Sequence, residues 1–413
     1  MRILIYAMGS AGDVHPFVGV GRALQARGHE VIVATSAFFE DVVRRAGLGF
    51  RAMGTVADFE RVQGDPHLWH PTKALPSIIR HAVNPSYEPI LEVARELHIP
   101  GETVILASSL AWATMSVREL LEIPVVSVHL APSLFASSYR QPVMHGAPVP
   151  QSAPHFLKRF QWWVAGKVVD HHVLPELNRF RARHGLPATS GILHGWHSPD
   201  RVIALFPEWF GPAQPDWPKN VIQTGFPLFD ESGQREVPQE LEDFLNDGDP
   251  PVVFTPGSAM DRGHSFFSEA VKALTSIGRR GILISRFSDT IPPNLPSTVR
   301  HFPYVPFSQV LPRAAALVYH GGVGTCAQAL RAGVPQLLMP MAHDQLDNLS
   351  RVEDLGVGGG LHPRQFKARK IASVLEGMLA DPSLKQRALD ISARFDPSGW
   401  MNRTCDLIEE MKP

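Results

Sequence analysis

The sequence has few of the features that mark secreted, membrane-spanning or nucleic-acid-binding proteins. Only two cysteines, Cys326 and Cys405, occur in 413 residues. They are too few for a disulfide framework or a cysteine-rich metal cluster, so a reducing, cytoplasmic setting is expected. Charge is balanced, with 39 Lys and Arg against 40 Asp and Glu. No overall basic excess points to nucleic acid or to an anionic membrane, and no nucleic-acid partner is expected.

Long apolar runs are also missing, since no stretch approaches the ~18 apolar residues of a membrane span. The apolar opening "RILIYAM" breaks at Gly9 and continues into a helix-start pattern, so we do not expect a signal peptide. These features predict a soluble, cytoplasmic protein without a transmembrane segment. With 44% hydrophobic residues, the chain is long enough to bury two cores.

Short apolar runs alternate with helical patterns in both halves of the chain. The runs include "RILIYAM", "EVIVAT", "TVILASS" and "PVVSVHL", then "PVVFT", "GILISR", "AALVYH" and "VPQLLMP". The first predicted helix has Pro16 near its first turn, and Gly28 ends it. This alternation predicts an α/β fold with two doubly wound, Rossmann-like domains that face each other across a cleft.

Composition places the domain boundaries. Residues 1–215 are predicted to form the first domain and residues 251–395 the second. The stretch 216–250, rich in Pro, Gly and polar residues, is predicted to be a linker. Residues 396–413 are predicted to form a C-terminal helix that could pack back on the first domain.

The most informative segment of the second half is "YHGGVGT", residues 319–325. Its glycines let the backbone approach a ligand closely. A helix is predicted to begin here, so free N–H groups and the positive end of the helix dipole would face outward. This is an anion site suited to a diphosphate, with His320 as a further donor. The alternative is a glycine-rich turn beside a core histidine.

Two further loops belong to the same predicted sheet edge. "TPGS" contains Gly257 and Ser258, and "MAHDQLDN" contains Asp344 and Gln345. Ligands of parallel sheets bind beyond the carboxyl ends of the strands, which favours the diphosphate site. A carboxylate that only accepts and an amide that donates and accepts suit adjacent sugar hydroxyls. Alternatively, Asp344 is a helix N-cap.

Two other classes of site are disfavoured. A nicotinamide-dependent oxidoreductase needs GxGxxG after the first strand and an acid after the second, but this chain has "GSAGD" and Ser36 there. The acidic "DGD" at 247–249 precedes a strand, and we interpret it as a solvated turn. With no metal-ligand cluster in the sequence, neither a metal nor another cofactor is expected.

The first loop, "GSAGDVHP" at residues 9–16, contains two candidate bases. Asp13 and His15 stand two positions apart at a strand-to-helix turn, and either could take a proton. Alternatively, Asp13 only caps the helix predicted to begin near Pro16.

These segments resemble, in the same order, the family 1 glycosyltransferases of the GT-B fold. "HGGVGT…RAGVPQLLMPMAHDQLDN" is similar to their donor-binding signature, and "GSAGDVHPF…GRALQARGHEV" to the start of their acceptor-binding domain. "GDPHLW", "LFPEWF", "DWP" and "TGFPLFD" are more closely similar to the rhamnosyltransferase B chains of rhamnolipid synthesis. Bacterial sterol and macrolide glucosyltransferases are more distantly similar. The resemblance covers most of the chain.

The resemblance implies inverting, metal-independent transfer of a hexose, glucose or rhamnose, from a UDP- or dTDP-sugar to an acceptor hydroxyl. In the matched motifs, the diphosphate would contact an imidazole and a glycine-rich helix start. The sugar would contact the "DQ" pair, and the nucleobase would contact a "YV" pair. The donor-binding positions so assigned are Gly12, Ser258, Tyr304, Val305, His320, Gly322, Gly324, Thr325, Asp344 and Gln345. Gln328 replaces a glutamate that binds the ribose in many members, which leaves uridine and deoxythymidine open.

In the family the base lies in the first loop, where many members have a histidine oriented by a later aspartate. This chain has Asp13 at that position, and "TVILASSLAW" offers no acid to orient an imidazole. A carboxylate needs no tautomer to be fixed, so Asp13 is the favoured base. His15 as the base, and a capping role for Asp13, stay open as alternatives.

The acceptor is less well defined by the sequence. "SSLAW" and "HLAPSLFASSY" are mostly apolar and could line a hydrophobic pocket, which favours a lipid-like or other apolar aglycone. The segment 155–173, "HFLKRFQWWVAGKVVDHHV", could be an amphipathic helix over that acceptor, touch a membrane surface peripherally, or pack on the core. The alternative function is a nucleotide-sugar-binding helper subunit without turnover.

Overall fold

Two parallel β-sheets organise the chain. The protein is described by a computed structural model for residues 1–70, 72–234, 236–258 and 263–411. Contacts divide it into a first unit, Met1–Pro227 with Asp396–Pro413, and a second unit, Leu228–Phe395.

The sheet of the first unit has seven parallel strands in the order β3-β2-β1-β4-β5-β6-β7. The strands are β1 (Arg2–Tyr6), β2 (Glu30–Thr35), β3 (Gly49–Ala52), β4 (Thr103–Ser108), β5 (Val125–His129), β6 (Arg201–Ala204) and β7 (Val221–Gln223). Strands β1, β4 and β5 lie at the centre and are almost entirely buried. Their continuous apolar sequences are typical of parallel strands covered on both faces.

The helices of the first unit pack around this sheet. They are α1 (Ala11–Ala26), α2 (Glu40–Arg45), α3 (Val56–Gln63), α4 (Ala74–Ile78), α5 (Tyr87–Leu97), α6 (Thr114–Leu121), α7 (His155–Arg183), α8 (Ile192–Gly195) and, from the C-terminal segment, α16 (Pro397–Glu409).

The start of α1 differs from the sequence-based expectation. The helix begins at Ala11 rather than near Pro16, which lies inside it. The reason is a capping box at its N-terminus, in which the Ser10 N–H donates to Asp13 Oδ2 at 2.7 Å. The inner face of α1 includes Phe17, Val20, Gly21 and Leu24, which are all buried.

The second unit has six parallel strands in the order β10-β9-β8-β11-β12-β13. They are β8 (Val252–Thr255), β9 (Gly281–Ile284), β10 (Val299–Phe302), β11 (Ala316–Tyr319), β12 (Gln336–Leu338) and β13 (Gly358–Gly360). Its helices are α9 (Gln239–Asn246), α10 (His264–Ser276), α11 (Phe307–Val310), α12 (Val323–Ala332), α13 (Gln345–Asp354), α14 (Ala368–Ala380) and α15 (Pro382–Ser392).

The predicted linker, residues 216–250, contains regular structure. Strand β7 is the edge strand of the first sheet, and α9 belongs to the second unit. The division between the units falls between Pro227 and Leu228.

Helix α16 packs on the first unit, far from it in sequence. Arg27 forms ion pairs with Asp406 and Glu409 at 2.7 and 3.0 Å. A closer contact involves Trp400, whose ring occupies the space beside Gly225. A Cβ at position 225 would lie 2.0 Å from Trp400 Cδ2.

We therefore expect Gly225→Ala to destabilise the protein by about 1–3 kcal/mol, because the added methyl group overpacks the contact with Trp400. Thermal unfolding monitored by circular dichroism measures the effect. Gly377→Ala is the matched control, since no atom lies within 4 Å of its added Cβ and alanine favours a helix interior. Equal melting temperatures for the two variants would contradict the prediction.

Candidate functional site

Three loops of the second unit follow neighbouring strands. Strands β8, β11 and β12 lie side by side in the sheet, so the loops after them meet at one edge, here called the donor edge. They carry Gly257 and Ser258, then His320 to Thr325, and then Met341 to Asn348. The structure therefore brings together the predicted diphosphate and sugar positions of the second half.

The imidazole of His320 lies in a gap between two glycines. A Cβ at Gly257 would be 2.7 Å from His320 Cε1, and one at Gly322 would be 2.5 Å from Nε2. Both distances are too short for any other residue type. The backbone thus closes around the ring at the end of β11 and fixes its position.

Burial, with a smaller contribution from His343, lowers the pKa of His320 to about 4. The ring is therefore a neutral imidazole at neutral pH, with one donor and one acceptor nitrogen. Its Nδ1 atom is buried and has no hydrogen-bond partner within the described residues. A buried polar atom without a partner in a candidate site is consistent with a role toward a ligand.

The glycine-rich loop leads directly into α12. Gly321 has a φ of +101°, a conformation that favours glycine, and Gly322 is the N-cap residue. The N–H groups of Gly324 and Thr325 lie in the first turn, where the helix supplies no carbonyl partner. Together with the helix dipole they form the helix start at which the sequence predicts an anion site.

Asp344 connects this loop to α13. Its carboxylate accepts hydrogen bonds from the Val323 N–H and, at 2.7 Å, from Asn348 Nδ2. Burial raises the pKa of Asp344 to about 6. The side chain makes no N-cap hydrogen bond to α13, so simple capping does not account for it.

Gln345 is buried and held at its carbonyl end. Its Oε1 atom accepts from the Met341 and Ala342 N–H groups at 2.7 and 3.2 Å. These bonds fix the orientation of the amide, because a carbonyl oxygen accepts and an amide nitrogen donates. The preceding His343 adopts a left-handed backbone with φ of +59°, which is uncommon for a residue with a side chain and is often found at functional sites.

The remaining donor positions differ in exposure. Ser258 is exposed at the end of its loop, directly before residues 259–262, which lie outside the described part of the chain. Tyr304 is half-buried and donates from Oη to the Asp230 carbonyl. Val305 is buried, Gln328 is half-buried on α12, and Gly12 is exposed in the first unit.

Asp13 is half-buried in the first unit, at the start of α1. The N–H and the hydroxyl of Ser10 donate to its Oδ2 atom at 2.7 and 3.0 Å. Gly9 leaves the space for this carboxylate, since a Cβ there would lie 2.3 Å from Oδ2. Asp13 is therefore not the N-cap residue of the alternative prediction, since Ser10 takes that position. As the third helical residue it completes the capping box, and these bonds orient its carboxylate.

His15 stands two residues further along α1. Residues so spaced point to different sides of a helix, so Asp13 and His15 do not form a pair on one face. At the end of β4, Ser108 accepts the Met8 N–H at 3.2 Å. The last residue of β4 thus supports the first loop through its hydroxyl group.

Two residues with clear positions at these loops were not predicted from the sequence. Asn348, completely buried, donates to Gly321 O and to Asp344. Asp216, in the "DWP" segment, accepts from both Ser137 and Ser138 and so fixes the loop after β5. For Asn348, the signal available in the sequence was an asparagine one helical turn after the "DQ" pair.

Within the described residues, no group of three or more His, Cys, Asp or Glu side chains is arranged to hold a metal ion. In the same part of the chain, no helix combines the length and apolar character needed to cross a membrane.

Comparisons with known proteins match both halves of the chain to glycosyltransferase families. The glycosyltransferase family 28 N-terminal domain matches residues 3–139, and the erythromycin biosynthesis protein CIII-like C-terminal domain matches residues 283–397. The chain is 31% identical over 419 residues to O-mycaminosyltylonolide 6-deoxyallosyltransferase of Streptomyces fradiae, across 99% of this chain and 97% of that one.

Two further relatives extend the comparison. A sterol 3-beta-glucosyltransferase of Arabidopsis thaliana is 26% identical, across 100% of this chain and 68% of its own length. The crystal structure of the glycosyltransferase VinC in complex with dTDP superposes with a TM-score of 0.70 at 20% identity, across 100% of this chain and 99% of that one.

The fold, the loops of the donor edge and the relatives together define a GT-B glycosyltransferase. The chain belongs to the family 1 glycosyltransferases of this fold and is a nucleotide-sugar-dependent hexosyltransferase. The finer resemblance to rhamnolipid rhamnosyltransferases stays a prediction.

The buried state of His320 predicts a pH dependence of stability. Its pKa falls from 6.5 to about 4 on folding, so the unfolded chain binds more protons between these values. The contribution of the neutral His320 ring to the free energy of unfolding is complete above about pH 6.5 and is lost as the pH falls toward 4. In urea titrations, we expect His320→Ala to lose less stability than wild type over this range, by up to about 1.4 kcal/mol per pH unit. Parallel curves for the two proteins would contradict this.

Proposed function

We propose that the protein transfers a hexose from a dTDP- or UDP-sugar to a hydroxyl group of an apolar acceptor, with inversion and without a metal ion. The observation that carries the donor half of this proposal is the His320 ring, held between Gly257 and Gly322 beside the start of α12. Such an arrangement presents neutral donors and a helix dipole to one anion.

The diphosphate is the leaving group in this proposal. His320 and the N–H groups of Gly322, Gly324 and Thr325 stabilise the negative charge that develops on it as the glycosidic bond breaks. These groups are fixed before the ligand binds, so little reorganisation accompanies the reaction. Ser258 assists from the neighbouring loop.

The sugar hydroxyls are assigned to Asp344 and Gln345. Since the Gln345 carbonyl already accepts two backbone N–H groups, its NH₂ group is the end that donates to a sugar oxygen. Asp344 supplies the acceptor oxygen beside it. The carboxylate form is needed for this, and its pKa of about 6 leaves it ionised at neutral pH.

The nucleoside is assigned to Tyr304 and Val305, and Gln328 lies toward the ribose. A glutamine provides fewer acceptor sites than the glutamate common at this position, which fits a deoxyribose with one hydroxyl fewer. The presence of dTDP in the VinC structure supports the same choice. We therefore favour a dTDP-sugar, with a UDP-sugar as the alternative.

The acceptor is proposed to be an apolar aglycone or a lipid-like alcohol. Support comes from the apolar character of "SSLAW" and "HLAPSLFASSY" and from relatives named for macrolide and sterol substrates. Asp13 takes the proton of the acceptor hydroxyl while that oxygen bonds to the anomeric carbon and the diphosphate leaves. The transition state is oxocarbenium-like.

The donor half is tested by nucleotide binding in the absence of divalent ions. With EDTA present, dTDP at ~100 times its Kd should stabilise the protein by about 2–3 kcal/mol in a thermal-shift assay, more than UDP, GDP or NAD at equal concentration. His320→Ala should lower kcat/KM about 100-fold, as expected for loss of one preorganised donor. His264→Ala removes an exposed imidazole on α10 and is the control. No shift with either pyrimidine nucleotide, or a strict metal requirement, would overturn the proposal.

Asp13 is tested as the base with Asp13→Asn. Asparagine keeps the size and can still accept the Ser10 N–H, but it cannot take a proton. Turnover at saturating donor should fall about 10²- to 10⁴-fold, while the melting temperature and dTDP binding stay near wild type. His15→Ala should lose far less.

Active Asp13→Asn together with inactive His15→Ala would assign the base to the imidazole instead. If Asp13→Asn is fully active and His15→Ala is as well, neither residue is the base and Asp13 acts only as a cap. A helper subunit without turnover predicts dTDP binding but no glycoside product from any variant.

A further inference from the structure

Exposed apolar side chains are concentrated in one segment of the first unit. Of the twelve large hydrophobic side chains exposed in the described residues, nine lie between positions 139 and 168. Most of them are on the N-terminal half of α7, where Phe156, Phe160 and Trp163 are 68%, 62% and 59% exposed. Exposed apolar side chains grouped in this way usually mark an interaction surface.

The two halves of α7 differ in what they present to solvent. In the C-terminal half, Val169, Val173 and Leu177 are buried and Arg179 is exposed, as in an ordinary surface helix. In the N-terminal half the side facing the protein carries Lys158, which is buried and donates to the Tyr139 carbonyl.

The outward side of that N-terminal half is the apolar one. Its members recur every three or four residues and share one side of the helix. We call this surface the α7 apolar face, and it consists of Phe156, Leu157, Phe160, Trp163, Val164 and Val168. Phe160 and Trp163 stack with ring centroids 5.8 Å apart, so the face is a continuous surface rather than separate side chains.

The charged residues of the segment that carries this face, residues 123–169, are all basic. No acidic residue stands between Glu122 and Asp170, although the whole chain has as many acids as bases to within one residue. Arg159 and Lys167 are exposed beside the aromatic rings, and Lys167 Nζ lies 5.9 Å from the centre of the Trp163 ring. The balanced composition of the chain thus conceals a local basic and aromatic region.

We propose that the α7 apolar face binds the surface of a lipid bilayer that contains anionic headgroups. A helix that places Phe, Trp and Leu on one side with Lys and Arg beside them lies in the membrane interface. Basic residues there are attracted to anionic lipids, and acidic residues would be repelled. The binding is peripheral and does not depend on the proposed donor or acceptor.

The test uses the full-length protein and sucrose-loaded vesicles, without nucleotide or acceptor. Wild type should co-sediment with vesicles of equimolar phosphatidylcholine and phosphatidylglycerol, and much less with phosphatidylcholine alone. Phe160→Gln with Trp163→Gln should lower the partition coefficient at least about tenfold on anionic vesicles, because the apolar contact is lost. Arg159→Glu with Lys167→Glu should lower binding similarly at low salt. At high salt this variant and wild type should bind equally, because the electrostatic attraction is screened.

Matched controls come from the same unit. Val56→Gln with Leu75→Gln removes two exposed apolar side chains elsewhere, and Lys73→Glu with Arg95→Glu reverses two exposed charges elsewhere. Both should bind vesicles like wild type, and melting temperatures confirm that every variant folds.

The proposal would be overturned if wild type stays in the supernatant at all lipid concentrations. It would also be overturned if the Phe160→Gln, Trp163→Gln variant binds vesicles as well as wild type does. A different outcome is that wild type does not bind vesicles, is a dimer by light scattering, and becomes a monomer with Trp163→Gln. That outcome would assign the face to a contact between two copies instead.

Discussion

One buried amide fixes the starts of both helices at the donor edge. Asn348 Nδ2 donates one hydrogen to Gly321 O and the other to Asp344 Oδ2, at 2.9 and 2.7 Å. Because Asp344 also accepts the Val323 N–H, the glycine turn before α12 and the residues before α13 cannot shift independently. The glycine-rich loop and the loop that carries Asp344 and Gln345 are joined by that linkage, and an aspartate at position 348 would have no hydrogen to donate to either partner.

The same edge shows why glycine is required where the family signature has it. His320 is flanked by backbone on two sides, and a methyl group at Gly257 or Gly322 would overlap its ring. The close approach removes water from the imidazole, which keeps it neutral at neutral pH. A neutral donor placed in advance needs no rearrangement when the charge on a leaving diphosphate increases. Packing and electrostatics therefore impose the same constraint on this loop.

The sequence predicted the elements that carry strong apolar periodicity. The central strands are continuous apolar runs, and α12 begins within the glycine-rich segment where a helix start is predicted. Strand β13, which is Gly358–Gly360, has no such signal. Pro16 as a first-turn residue predicts too late a start for α1, because the cap is formed by Ser10 and Asp13. Contacts such as Arg27 with Asp406 join distant segments, so no local pattern could indicate them.

In the first loop, the proposed general base is also part of a helix cap. An imidazole base requires a second group to fix its tautomer, which elsewhere in the family is an aspartate after the later strand. Here Ser108 at that strand holds the backbone of Met8 instead, and Ser10 holds Asp13 within the same turn. The capping bonds restrict the carboxylate to one orientation at the start of α1, and Gly9 provides the space for it. Since orientation is what a positioned base needs, the structural role of Asp13 supports its catalytic assignment rather than competing with it.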